Sequence, residues 1–180
     1  MDGEILRLAE RAPAVPAPPT AHPDAELVAL YRDHRLSLVR LALLLVGDRE
    51  TAEDIVQDVF ARLHDKWRPG ITTLSYVRTC VLNGSRSVLR RRAMMLRRTT
   101  WVSEAESSAE AAALAGESRR EILVALGRLP RRQREALALR YYLDLHDAEI
   151  AEVMRIRPGT VRSTITRALT RLLHELGDKA

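Results

Sequence analysis

Pro158-Gly-Thr-Val-Arg-Ser-Thr-Ile-Thr-Arg167 closes a helix–turn–helix that begins at Asp147, and its reading decides the fold of the C-terminal half. Pro158 suits the first turn of a helix, where its missing N–H costs nothing and its fixed φ is already helical. Beyond it, Val161, Ile165, Leu169, Leu172 and Leu176 recur at three- and four-residue steps, which predicts one buried stripe. The opposite stripe is Arg162, Ser163, Thr166, Arg167, Thr170 and Arg171, basic and hydroxylated with no acid. Such a face suits a helix lying against phosphates and base edges in a major groove. A partner helix is predicted over Asp147–Met154, with Ile150, Val153 and Met154 apolar and Ala151 small enough for close approach. Arg155-Ile156-Arg157 is a connection of the length the motif needs. Asp147 is the expected cap, His146 being an unusual one, and Glu149 adds negative charge to the first turn.

Composition narrows the class. Of 180 residues only 4% are aromatic and Gly is scarce, while Ala, Leu, Arg and Glu dominate, so an all-α fold is expected. A formal charge of +5 and a pI near 10.0 point to a polyanionic partner. The single cysteine, Cys80, excludes an internal disulfide framework and any CxxC zinc site. The N-terminus lacks the basic-then-apolar pattern of a secretion signal. The longest apolar run, Leu41–Val46, falls far short of the roughly 20 residues of a membrane span. A cytoplasmic protein with no membrane partner is expected.

Two small helical bundles on a tether are predicted. Residues 1–23 hold Pro13, Pro16, Pro18, Pro19 and Pro23 in an Ala-rich tract that cannot bury a core, and read as a disordered arm. The first bundle, 24–98, comprises a helix capped by Asp24 and stopped at Gly47, a second from Asp48 to about Lys66 ended by Pro69-Gly70, and a third from about Thr73 to Leu96 or beyond. Residues 99–118, with four Ser and four Glu, read as a flexible acidic linker. The second bundle, 119–177, contains helices over Glu121–Leu129, Pro130–Leu143, Asp147–Met154 and Pro158–Leu176.

In the second helix, Ile55, Val56, Val59, Phe60 and Leu63 are expected to pack on Leu27, Leu30, Leu38, Leu41 and Leu45 of the first. Its other faces carry Glu53, Asp54, Gln57, Asp58, Arg62 and Asp65. Spacing alone leaves this set open between a solvated face and an acidic docking surface. Charge then changes sign: from Lys66 to Ser103 there are nine Lys or Arg and no acid. Charge so dense on one helix is costly unless an anion answers it. Tyr76, Cys80, Asn83, Ser87 and Arg90 follow one stripe, and Val77, Val81 and Val88 the buried one. A phenol, an amide and guanidiniums together can stack on, hydrogen-bond and neutralise a single nucleic-acid strand.

These residues resemble the extracytoplasmic-function (group four) sigma factors of bacterial RNA polymerase, within the sigma-70 family, and are most similar to actinobacterial members. Ala52-Glu-Asp-Ile-Val-Gln-Asp-Val-Phe60 looks like their region two motif. Tyr76-Val-Arg-Thr-Cys-Val-Leu-Asn83, with the arginines to Arg92, looks like the segment that reads the −10 element. Leu129-Pro-Arg-Arg-Gln-Arg-Glu-Ala136, Glu149-Ile-Ala151 and Gly159-Thr-Val-Arg-Ser163 look like region four. The resemblance implies that Glu53, Asp54, Gln57 and Asp58 dock on the β′ clamp helices of core polymerase. It implies that Trp67, Arg68, Tyr76, Asn83, Arg86, Arg90 and Arg91 meet the −10 element and its non-template strand. Arg157, Thr160, Arg162, Ser163, Thr166, Arg167 and Arg171 are implied to meet the −35 element. Thr164 stands where many members carry a second basic residue, implying a lighter −35 contact set. Implied partners are core RNA polymerase (β′ and β), promoter DNA and, as in other members, an anti-sigma factor.

No catalytic set, phosphate loop or metal cluster is recognisable, so no enzymatic activity, cofactor or metal is expected. The expected function is promoter recognition and melting for transcription initiation. The alternative is a stand-alone helix–turn–helix regulator, which would need a dimer interface or sensory domain in the first half.

Overall fold

The computed structural model describes residues 23–66, 72–98 and 117–177, and all regular structure among them is helical. The helices are α1 (Pro23–Val46), α2 (Arg49–Lys66), α3 (Leu74–Arg98), α4 (Glu117–Arg128), α5 (Arg131–Leu137), α6 (Asp147–Met154) and α7 (Pro158–Gly177). Residues 1–22 of the Pro-rich arm, residues 67–71 with Trp67, Arg68 and Pro69-Gly70, and residues 99–116 of the linker lie outside the described residues, whereas Pro23 and Glu117-Ser118, expected in the arm and the linker, begin α1 and α4. The side chains of Asp24, Arg97 and Arg98 also lie outside them.

Local chemistry explains most boundaries. α1 ends at Gly47, whose φ of +88° is the left-handed conformation glycine adopts without strain. One residue on, the Asp48 carboxylate accepts the Thr51 N–H at 2.8 Å and caps α2. Thr73 caps α3 in the same way, its hydroxyl accepting the Tyr76 N–H. α5 does not run unbroken to Leu143 as its periodicity suggested. It passes at Leu137 into a π-turn, Ala138–Tyr142, which turns Leu139 fully into the core and leaves Tyr141 exposed.

In the first bundle, α2 lies along α1 and both rest on α3. Leu38, Leu41, Leu45, Val56, Val77, Val81 and Leu82 are almost wholly buried there, as their spacing required. The turn between α1 and α2 is tied to α3 by Arg92, which donates to the Val46 carbonyl, the Asp48 carboxylate and the Thr51 hydroxyl at 2.6–3.0 Å. One of the nine cations in the acid-free run is therefore answered within the chain.

The second bundle places α5 and α6 against α7, with Ile150, Val153 and Val161 at its centre. The two bundles are packed on each other, which the tether reading did not anticipate. α6 lies on α3, and the π-turn rests on α1. Buried apolar side chains run as one cluster from Leu41 and Val81 to Leu139 and Val161. Across this junction the Thr79 hydroxyl, shared with the Ser75 carbonyl of its own helix at 3.0 Å, reaches the Val153 carbonyl at 3.2 Å, and Arg134 donates to the Leu45 carbonyl at 2.8 Å.

Candidate nucleic-acid and polymerase interfaces

The acidic surface on α2 follows from the burial of its opposite side. With Ile55, Val56, Val59, Phe60 and Leu63 facing the core, Asp54, Gln57 and Asp58 are exposed on one face at three- and four-residue steps. Glu53 is drawn aside by Arg49 at 2.8 Å, and that hydrogen bond lowers its pKa. Asp58 lies 3.7 Å from Arg62, in an exposed pair. Asp54 has no such neighbour within the chain's close ion pairs among the described residues.

Between α2 and α3 runs a groove of about 1100 Å³, with Asp58 and Arg62 on one wall and Tyr76, Asn83, Arg90 and Arg91 on the other. α2 and α3 approach closely enough to form it because residue 84 is glycine: a Cβ there would stand 2.9 Å from the Ile55 Cγ2. Tyr76, Asn83, Arg90 and Arg91 are all exposed, so four of the expected −10 residues share one surface. Cys80 lies half-buried on the same wall, and burial pushes its thiol pKa up.

Arg86 departs from this set. Its guanidinium is turned away from the groove, its Nε donating to Glu135 Oε1 at 2.8 Å and its Nη2 to Oε2 at 2.7 Å. Its Nη1 donates to the Asn83 amide oxygen at 3.2 Å. The hydrogen bond with Glu135 raises the Arg86 pKa against the opposing effect of burial. Arg78, also in the basic run, is lowered by burial, with Glu149 of α6 acting in the opposite direction.

On α7, all seven expected −35 residues are exposed: Arg157 at its entrance, then Thr160, Arg162, Ser163, Thr166, Arg167 and Arg171. Arg167 is held along the helix by its Nε donating to the Ser163 carbonyl at 3.0 Å. Thr164 is not part of this face. It is 8% exposed and donates to the Thr160 carbonyl, so a small residue there is a packing requirement and leaves the outward set intact. Asp147 is not the cap of α6. The N-cap position falls to His146, in a capping box whose N3 residue, Glu149, accepts the His146 N–H at 2.8 Å. Asp147 instead accepts hydrogen bonds from Arg140 and, at 3.4 Å, from Arg162 on α7. The turn between the two helices closes through Arg155 at φ +54°, a left-handed conformation without glycine.

Sequence reasoning missed Glu135, Thr79 and the pairing role of Asp147. A signal existed for Glu135: it shares a helical face with the buried Ala138 and Leu139, so its carboxylate had to be answered by a cation. Among the described residues no His, Cys, Asp and Glu side chains converge as a metal site, and no helix is long and apolar enough to cross a membrane.

Comparison with known proteins accords with both halves. Residues 30–94 match the family model for sigma-70 region 2, and residues 119–172 that for sigma-70 region 4. The chain is 33% identical over 160 residues to the ECF RNA polymerase sigma factor SigL of Mycobacterium tuberculosis, covering 83% of this chain and 89% of that protein. It is 30% identical to the RNA polymerase sigma-E factor of Streptomyces antibioticus, covering 84% of each. The fold is shared with the sigma factor RpoE of Bartonella quintana, solved with the anti-sigma factor NepR, at a TM-score of 0.63, 22% identity and coverage of 86% and 96%. Region two on α1–α3, region four on α4–α7, and relatives of this identity along most of their length place the chain in the extracytoplasmic-function sigma factors of the sigma-70 family.

Proposed function

We propose that this alternative transcription initiation factor divides its work among three surfaces. Asp54, Gln57 and Asp58, with Glu53 beside them, dock on the β′ clamp helices of core RNA polymerase. The groove between α2 and α3 takes the non-template strand of the −10 element, with Asn83 reading a base and Arg90 and Arg91 meeting phosphates. The outer face of α7 enters the major groove of the −35 element. Trp67 and Arg68 belong to the same −10 set in this reading. The observation that carries the proposal is the segregation of charge on one bundle: an exposed acidic row on α2 stands beside a basic, phenol- and amide-bearing wall on α3. One surface fits a basic protein helix and the other a polyanion.

Docking both bundles on one polymerase makes the second DNA contact intramolecular, so two modest readers act together. Binding of an unpaired strand offsets the cost of unstacking it, which favours melting. The reading extends to an anti-sigma factor, the class of partner with which the RpoE relative was solved.

Charge reversal of Asp54 and Asp58 to Lys tests the docking surface. Both are exposed, so helicity and unfolding midpoint should stay close to those of the parent chain. Affinity for core polymerase should fall by about tenfold or more, since like charges then meet at the interface. Undiminished affinity with normal circular dichroism sinks the assignment.

A further inference from the structure

The junction between the bundles joins two groups with opposite destinies in the proposed complex. Arg86 belongs to the set assigned to the −10 strand, yet three of the five N–H groups of its guanidinium, with the whole Nε–Nη2 edge among them, serve other residues. Nε and Nη2 grip both oxygens of Glu135, and Nη1 holds Asn83. Glu135 belongs to region four, 49 positions along the chain, and its side chain is 1% exposed. Arg131 approaches it from the same helix at 3.5 Å.

A carboxylate and a phosphodiester present the same thing to a guanidinium: two anionic oxygens in a plane, spaced to accept from Nε and one Nη. One edge of Arg86 cannot serve both. If a strand phosphate takes that edge, Glu135 is left as a buried carboxylate without its bidentate donor, a costly state while α5 remains on α3. Separation of the bundles relieves it by letting water reach the carboxylate. Strand binding and domain separation are therefore coupled through one side chain. Asn83 is drawn into the same coupling, because its amide oxygen is held by Arg86. The −35 face of α7 is not involved: Arg162, Ser163, Thr166 and Arg167 stay exposed in the closed arrangement.

Resting on the assignment of Arg86 to the −10 strand, we infer that Glu135 is an internal competitor of that strand, occupying Arg86 as a phosphate would and holding region four closed over region two until the strand or the polymerase displaces it.

The test uses the full chain without polymerase and a fluorescein-labelled pool of random single-stranded 12-mers, which probes phosphate contact without a known promoter. Radius of gyration is read by small-angle scattering in parallel. Glu135→Gln keeps shape and removes the competing charge. It should enlarge the chain and raise strand affinity about fivefold or more, the lower end of ordinary coupling between sites. Arg86→Ala should also enlarge the chain, yet lower strand affinity. Glu152→Gln, on the exposed side of α6, removes the same charge from region four and controls for net charge; it should leave the radius unchanged and move affinity far less. Should Glu135→Gln lose helicity, Thr79→Val removes a different bond across the junction, the one to Val153, and must raise strand affinity as well. The inference is overturned if the opening variants leave radius and affinity at parental values, or if Glu135→Gln and Arg86→Ala shift affinity in the same direction. Failure of the functional reading is separate: it would appear as absence of promoter-directed initiation by the parent chain with core polymerase, whatever the radius and strand affinity show.

Discussion

Single side chains carry much of this fold's definition, and Asp48 is the plainest case. Its carboxylate caps α2 through Thr51 and receives Arg92 from α3. Burial acts to raise its pKa, but the hydrogen bonds from Thr51 and Arg92 outweigh it, and the folded-state pKa lies below the usual 3.8. A carboxylate lowered on folding stabilises above its unfolded pKa, and that contribution is lost as pH falls through the folded value. Asp48→Ala should therefore cost about 1–2 kcal/mol at pH 7, mainly as a lost cap. In urea titrations the gap between variant and parent should narrow below pH 4. A gap that is constant down to pH 2.5 would mean that the charge of Asp48 contributes nothing.

At the scale of elements, the contact between α2 and α3 shapes the −10 groove, and Gly84 decides how close the helices come. Alanine there would stand against Ile55, whose branched Cβ leaves Cγ2 little room to move. Overpacking costs about 1–3 kcal/mol, against roughly 1 kcal/mol that alanine gains over glycine within a helix. Gly84→Ala should thus lower stability, and Ile55→Ala, itself a cavity mutation, should cost less in the Gly84→Ala background than alone. A double-mutant cycle measures this; strict additivity would show that the two helices do not touch at this point.

For the whole molecule, the arrangement leaves one reader open and the other partly engaged. Free chain should then bind promoter duplex through α7, weakly and with steep salt dependence. Removing one phosphate contact lowers the slope of log affinity against log salt by about 0.9. Arg167→Ala should reduce that slope or the affinity of the free chain for duplex, whereas Arg86→Ala should leave the slope unchanged. Core polymerase should raise discrimination between promoter and scrambled duplex far more than it raises binding to scrambled duplex. Equal slopes for Arg167→Ala and the parent, with equal affinities, would remove α7 from the DNA interface.

The amino-acid sequence by itself determined the family and, apart from the π-turn after Leu137, the helices and their faces. Helical period, glycine and proline punctuation and capping residues act within a few positions, so Val161, Ile165, Asp48 and Gly47 are legible one turn at a time. The exposed rows on α2 and α7 follow from the same period, since they are what remains once the apolar stripe is buried. Thr164 marks the edge of that legibility: it lies where the buried and exposed stripes meet, and only packing assigns it inward. Tertiary structure alone decided which cations of the basic run stay free. Arg92 is answered by an acid 44 positions away and Arg86 by one 49 positions away, while Arg90 and Arg91 remain exposed. Charge pairing over such separations depends on how the bundles close on each other, and closure is set by shape and burial across the junction, which no local pattern encodes.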